Sequence, residues 1–156
     1  MSQNEQDNDA TKLSPPLLFT LPLAAGAILH VGLPFRFLSS DLTITAGAPF
    51  VALGVFLVAW AVWVMRSAGT SPQPREATTA MVITGPYRFS RNPIYVAYAL
   101  IYIGTACVVN SLTVLLLLSA AVLLTQRVAI KREEQYLENK FGQDYLDYKS
   151  KVRRWL

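Results

Sequence analysis

Glu133 and Glu134 stand side by side just past a long apolar run, and Arg88, Arg91 and Asn92 stand just before another that begins at Pro93. Charge beside hydrocarbon is costly unless it stays at the water interface or is paired with something useful. If the chain around the two acids is helical, Glu133 shares a face with Ile130, Leu137 and Phe141, while Glu134 neighbours Lys131 and Glu138. Glu134 then reads as a member of ordinary surface salt links, each worth little. Glu133 differs, because a carboxylate on an apolar stripe needs a partner. A cationic ligand, ligand hydroxyls, Arg88 or Arg91 would each serve. The chemistry open to such a group is the capture of a charged, soluble ligand at the edge of a membrane.

Tyr95, Tyr98 and Tyr102 follow at i, i+3 and i+7, one stripe of a helix starting at Pro93. That spacing suits packing against a neighbour and the wall of a ligand pocket equally. No metal site is expected. His30 is the sole histidine and Cys107 the sole cysteine, and each lies in an apolar stretch, where a helix contact and a small buried hydrophobe are the natural roles. The chain closes on Arg153-Arg154-Trp155-Leu156, which either anchors to anionic lipid or folds back over the acids and arginines.

The elements that must position these residues are hydrophobic helices. Of 156 residues, 53% are hydrophobic and only 15% charged, with a mean hydropathy of +0.34. A soluble domain carries about a quarter of its residues as charge. Thr43 to Met65 and Asn92 to Gln126 contain no Asp, Glu, Lys, Arg or His. At about 1.5 Å per residue, each run is long enough to cross roughly 30 Å of hydrocarbon. The sequence therefore predicts an all-α, multi-pass membrane bundle of one domain over residues 17–156, preceded by a polar, disordered cytoplasmic tail over 1–16. Four spans are expected, at about 17–38, 46–65, 93–110 and 111–130. Pro22, Gly26 and Pro34 predict a kinked first span. Asn110-Ser111 is a turn signal that makes the last two spans a tight hairpin. Lys131 to Tyr148, too polar to span, predicts an amphipathic cytoplasmic helix with Gly142 as its breaking point.

Basic residues set the expected orientation. Arg66, Arg75, Arg88 and Arg91 fall between the second and third spans, and Arg127, Lys131, Arg132, Lys140, Lys149, Lys151, Arg153 and Arg154 follow the fourth. The opposite face offers Arg36 beside Asp41. The positive-inside rule puts the long loop and both termini in the cytoplasm, at the inner membrane if the cell is bacterial. A formal net charge of +4 and a pI near 9.4 do not imply nucleic acid, because the basic residues flank apolar segments. Oligomeric state is not legible.

Gly85-Pro86-Tyr87-Arg88, Arg91-Asn92-Pro93-Ile94-Tyr95, Glu133-Glu134, Phe141-Gly142-x-x-Tyr145-x-x-Tyr148 and Val152-Arg153-Arg154 occur in that order around the predicted hairpin. Together they resemble the isoprenylcysteine carboxyl methyltransferases and the related phospholipid methyltransferases, integral membrane enzymes, over about the C-terminal half. The resemblance implies S-adenosylmethionine as cofactor, held from the cytoplasmic side by the last two helices and the segment after them. It implies a cofactor set of Arg88, Asn92, Pro93, Tyr95, Tyr98, Gly104, Glu133 and Glu134, with the acids on ribose hydroxyls or the amino group. Asn92 stands where many members have His, and Ala97 where many have Gly, with Gly104 offering a close approach one or two turns deeper.

Methyl transfer from a sulfonium is an in-line displacement, so alignment and exclusion of water do most of the work. A carboxylate acceptor would need only a cation to hold it, for which Arg88, Arg91, Arg153 and Arg154 are the candidates and Arg91, Arg153 and Arg154 the catalytic choice. An amine or thiol would need deprotonation, with no base evident beyond the acid pair. The expected partners are membrane lipids and a lipophilic small-molecule or lipid-modified acceptor arriving from the bilayer. Two readings compete: an NADPH-dependent membrane reductase, which sterol reductases resemble in motif, and a non-catalytic membrane scaffold.

Overall fold

Proline and glycine decide where the helices begin and end. The computed structural model describes residues 15–72 and 78–156, so most of the expected disordered tail, and the loop charges Arg75 and Glu76, lie outside the described residues. Helix α1 spans Pro15–Gly32, with Pro22 inside it. It stops six residues short of the expected 38. Pro34 cannot donate to a helix and disfavours helical backbone at Leu33, so the chain leaves as an irregular stretch over 33–39. A single turn of 3-10 helix at Ser40–Leu42 then leads into α2, Thr43–Ser67.

Helix α3 spans Pro93–Val109, with Pro93 in the first turn, where its missing N–H costs nothing. It ends at Asn110, whose φ of 54° is a left-handed conformation that asparagine tolerates. Ser111 caps α4, its hydroxyl accepting from the Val114 amide at 3.3 Å. The same Asn110 ties down the stretch that α1 abandons. Its Oδ1 accepts from the amides of Phe37 and Leu38 at 3.0 and 2.9 Å, and its Nδ2 donates to the Leu38 carbonyl at 2.7 Å. Backbone groups left unpaired by the end of α1 are thus satisfied by the tip of the hairpin.

Helix α4, Leu112–Thr125, does not stop at the expected boundary near Ile130. It passes through a π-helical turn, Gln126–Ile130, straight into α5, Lys131–Phe141. No Gly or Pro stands anywhere from Ser111 to Phe141, so the backbone continues while its surroundings change from apolar to polar. Gly142 does break the segment, at φ 56° and ψ −125°, and α6 follows at Gln143–Lys151. Lys149 pairs with Glu138 across that break.

Among the described residues the structure is helical, without strands. Two continuous stretches, Ser40–Ser67 and Leu112–Phe141, are long and apolar enough to cross a membrane; α1 and α3 are apolar but shorter. Helix α2 lies along α3 and α1 along α4. The α2–α3 crossing is made by glycine. A Cβ on Gly47 would lie 2.6 Å from the Gly104 carbonyl oxygen, and one on Gly54 2.7 Å from that of Ala97. Lipid is as apolar as leucine, so helices in a bilayer gain by such close backbone approach. On the other side of α3, Phe19, Tyr95, Tyr102, Ala106, Val114, Ala121 and Ile130 form the buried core, with Trp155 from the C-terminus packed against it.

Candidate functional site

The end of the hairpin where α3 begins and α4 runs into α5 collects nearly all of the buried charge. Pro93 starts α3, and two residues later Tyr95 points its hydroxyl at α5, donating to Glu133 Oε1 at 2.7 Å. Burial pushes the Glu133 carboxyl above the usual carboxylate range; the Tyr95 hydrogen bond works against that push, and the neighbouring Glu134 charge adds to it. The π-helical turn ends at Ile130, two residues short of this acid pair, and such turns are frequent at functional sites.

Glu134 is the more deeply buried of the two, at 6% exposure, and it is fully engaged. Arg154 grips it with two parallel bonds, Nε to Oε1 at 2.9 Å and Nη2 to Oε2 at 2.7 Å. Arg91 brings Nη1 to 3.1 Å from Oε1 as an ion pair. The flat guanidinium fork matches a carboxylate edge, which makes this the strong form of the interaction. The surface salt links expected from Lys131 and Glu138 are not what holds this side chain. Arg91 itself is 9% exposed, and its Nε finds no hydrogen-bond partner among the described residues.

Residues 152–155 lie back along the segment that leads into α3. The Arg91 amide donates to the Arg153 carbonyl at 2.9 Å. The Arg154 carbonyl accepts from Asn92 Nδ2 at 3.0 Å and from the Ser90 hydroxyl at 3.3 Å, and the Asn92 amide donates to Ser90 Oγ at 3.1 Å. One turn of α6 earlier, the Tyr148 hydroxyl donates to the Tyr87 carbonyl at 2.7 Å. Tyr145 packs against Tyr148 with ring centroids 6.1 Å apart. Burial, then the charge of Glu134, pushes its hydroxyl upward, while Arg91 opposes.

The cluster thus joins Arg91, Asn92, Pro93, Tyr95, Glu133, Glu134 and Arg154, which the sequence singled out separately. Arg153 enters through its backbone, its side chain being exposed. Three other candidates lie elsewhere. Arg88 is exposed and makes no side-chain bond among the described residues. Tyr98 stacks against Phe19 of α1, ring centroids 5.7 Å apart. Gly104 is packed into α2: a Cβ there would meet Val51 at 2.6 Å and the Gly47 carbonyl at 2.7 Å, so its close approach is to a helix. Ser90 was not singled out from sequence, Tyr87 entered only within the Gly85-Pro86-Tyr87-Arg88 motif, and Trp155 only within the terminal anchor or fold-back segment. Ser90 contributes its hydroxyl to the Arg154 carbonyl and Tyr87 its carbonyl to the Tyr148 hydroxyl, contacts between distant parts of the chain that no sequence spacing marks.

A family model described as phospholipid methyltransferase matches residues 42–144, from the start of α2 to the first turn of α6. The chain belongs to the phospholipid methyltransferase family. The matched region contains every side chain of the cluster except Arg154. An uncharacterized protein of Haemophilus influenzae is 57% identical over 35 residues, which amount to 22% of this chain and 56% of that protein's length. Membership in the phospholipid methyltransferase family accompanies two helical stretches long and apolar enough to cross a membrane. Among the described residues no group of His, Cys, Asp and Glu is arranged to hold a metal.

Proposed function

We propose that the protein transfers a methyl group from S-adenosylmethionine to a lipophilic acceptor at the cytoplasmic face of the membrane. In this reading α1 to α4 each cross the bilayer, and both termini lie in the cytoplasm, where the basic residues concentrate. The observation that carries the reading is the unequal treatment of two adjacent acids. Glu134 is saturated by arginine, whereas Glu133 has one bond from Tyr95 and a second oxygen with no partner among the described residues. A half-buried carboxylate with one oxygen still unbonded fits the hydroxyls or ammonium group of a ligand. Arg91 Nε is buried and without a hydrogen bond among the described residues, and a guanidinium N–H suits an anionic oxygen.

When bound, S-adenosylmethionine supplies the methyl on a sulfonium. Glu133, kept in place by Tyr95, holds the hydroxyls or amino group of that molecule. Glu134 acts one step removed: it fixes the guanidinium planes of Arg91 and Arg154, so that Arg91 presents Nε to a carboxylate, either the cofactor's own or the acceptor's. The segment 152–155 closes one side of the cluster and excludes water, which protects the alignment on which an in-line displacement depends. Such a layout suits a carboxylate acceptor, which needs a cation and no base. An amine would have to lose its proton to Glu133, whose carboxyl is raised in the direction that favours accepting one.

The test is to incubate the protein in vesicles with methyl-labelled S-adenosylmethionine and a total lipid extract. Label should appear in an organic-soluble fraction, and acid- or base-lability of the product should separate an ester from an amine or thioether. Absence of label in every lipid fraction, with cofactor bound, would remove the lipophilic acceptor. Oxidation of NADPH in the same assay would favour the reductase.

A further inference from the structure

In the conformation seen, no dissolved molecule can touch Arg91 Nε. It is fully buried and has no hydrogen-bond partner among the described residues. The Arg91 and Glu134 side chains are 9% and 8% exposed, and Asn92, Pro93 and Tyr95 beside them are buried as well. A cluster that is to bond a soluble ligand through Arg91 must therefore open. Most of its walls are poorly placed to do so. Tyr95 belongs to the buried core with Val114, Ala121 and Ile130, and α4 runs through the π-helical turn into α5 without a break. A close-packed core of this kind resists displacement.

The segment 152–155 differs. It leaves α6 at Val152, where the backbone turns extended at φ −118° and ψ 131°. Trp155 packs against the core, and the other fastenings are polar. The Arg91 amide donates to the Arg153 carbonyl, Ser90 and Asn92 donate to the Arg154 carbonyl, and the Arg154 fork holds Glu134. Water can take over such partners at small net cost. Glu134 supplies an independent observation. Two arginines hold it, Arg154 from this segment and Arg91 from the stretch before α3. If Arg154 withdraws, Arg91 Nη1 remains 3.1 Å away as counter-charge, so the buried acid is not left bare. A carboxylate with a single partner would oppose that step strongly, because an uncompensated interior charge is costly.

We propose that residues 152–155 are a strap that lifts from Glu134 to admit S-adenosylmethionine and closes again behind it, with Ser90 and Asn92 as its catch. The proposal rests on the reading of the cluster as a cofactor site and adds how that site is entered. Closed, the strap excludes water. Lifting removes what lies along Arg91: the acceptor of its amide and the guanidinium that shares Glu134. Asn92 is in this role a positioning residue, donating to the protein's own backbone.

The experiment uses the full-length protein in lipid nanodiscs and times the association and dissociation of labelled S-adenosylmethionine by rapid filtration. A weaker catch raises the open fraction, so both rates rise together and the affinity changes little. A direct ligand contact would speed dissociation alone, and a merely structural residue would slow association. Ser90→Ala, which removes one hydrogen bond to the strap, should raise both rates roughly fivefold. Arg154→Gln should raise them about tenfold, even as turnover falls for want of closure. Hydrogen exchange of the Arg91 amide, which reads the strap directly, should quicken in both variants and slow when S-adenosylmethionine is added. Association unchanged or slower in both variants, in protein that is still folded, would overturn the strap. An Arg91 amide indifferent to the variants and to the cofactor would do the same. Absence of binding by the unaltered protein would instead remove the cofactor reading on which the proposal rests.

Discussion

The two ends of α3 are held in opposite ways. Toward its C-terminal half, Gly47 and Gly104 bring α2 and α3 into backbone contact with no polar side chain involved. At its N-terminus, α3 meets α5 and the C-terminal segment through Tyr95–Glu133 and the Arg91–Glu134–Arg154 network. A contact of shape has one solution and is intolerant of added volume. A contact of charge leaves donors and acceptors that can be shared with a ligand. Rigidity is therefore built in one half and binding capacity in the other, and substitutions in the two halves should fail in different ways.

The largest effect is expected at the crossing. Gly104→Val places its Cβ among the Gly47 carbonyl and the Val51 amide, backbone atoms that cannot turn aside. Overpacking of this kind costs roughly 3 kcal/mol or more, and the variant should lose monodisperse, folded protein on gel filtration in detergent. Glu134→Gln comes next. It leaves buried Arg91 without its counter-charge and weakens the Arg154 fork, and removing one partner of a buried pair costs about 3 kcal/mol. Its melting temperature should drop well below that of Glu133→Gln. A Glu134→Gln protein as stable as the unaltered chain would mean that the network does not hold the C-terminal segment.

Arg153→Gln and Arg154→Gln should separate within that network. Arg154 grips Glu134, whereas the Arg153 side chain is exposed and only its carbonyl is used. Arg154→Gln should lower turnover strongly with helix content intact, and Arg153→Gln should leave it nearly unchanged. Equal turnover in both would reduce the terminal arginines to a lipid anchor. Tyr148→Phe gives the smallest change. It removes one hydrogen bond to the Tyr87 carbonyl, worth about 1 kcal/mol, and should appear as a small drop in melting temperature.

The same contrast explains what the sequence made legible. Features fixed by a single residue's backbone preference could be placed in advance: Pro93 at the start of α3, the Asn110-Ser111 turn, and the break at Gly142. Features that depend on a distant partner could not. The first helix ends at Gly32 and leaves a stretch that is satisfied by Asn110, far away in the chain. Apolar residues continue past Gly32, so hydropathy extends the span to 38 where hydrogen bonding ends it. Glu134 looked like a surface acid because its sequence neighbours are charged, and the arginines that bury it come from two other segments. Glu133 was singled out for its place on an apolar stripe, and its carboxylate does reach Tyr95 of α3. Gly104 and Tyr98 were gathered with the site by their position on α3, but a helix has more than one face, and theirs are turned to α2 and α1.

The central claim is that the half-satisfied carboxylate of Glu133 holds a cofactor. Calorimetric titration of the purified protein with S-adenosylmethionine tests it most directly, with NADPH as the control and Glu133→Gln as the comparison. Charge-assisted hydrogen bonds are worth roughly 1.5–3 kcal/mol. The account therefore predicts saturable binding of S-adenosylmethionine, none of NADPH, and an affinity about tenfold weaker in a Glu133→Gln protein that is still folded. Equal affinity in that variant, or binding of NADPH in place of S-adenosylmethionine, would contradict it.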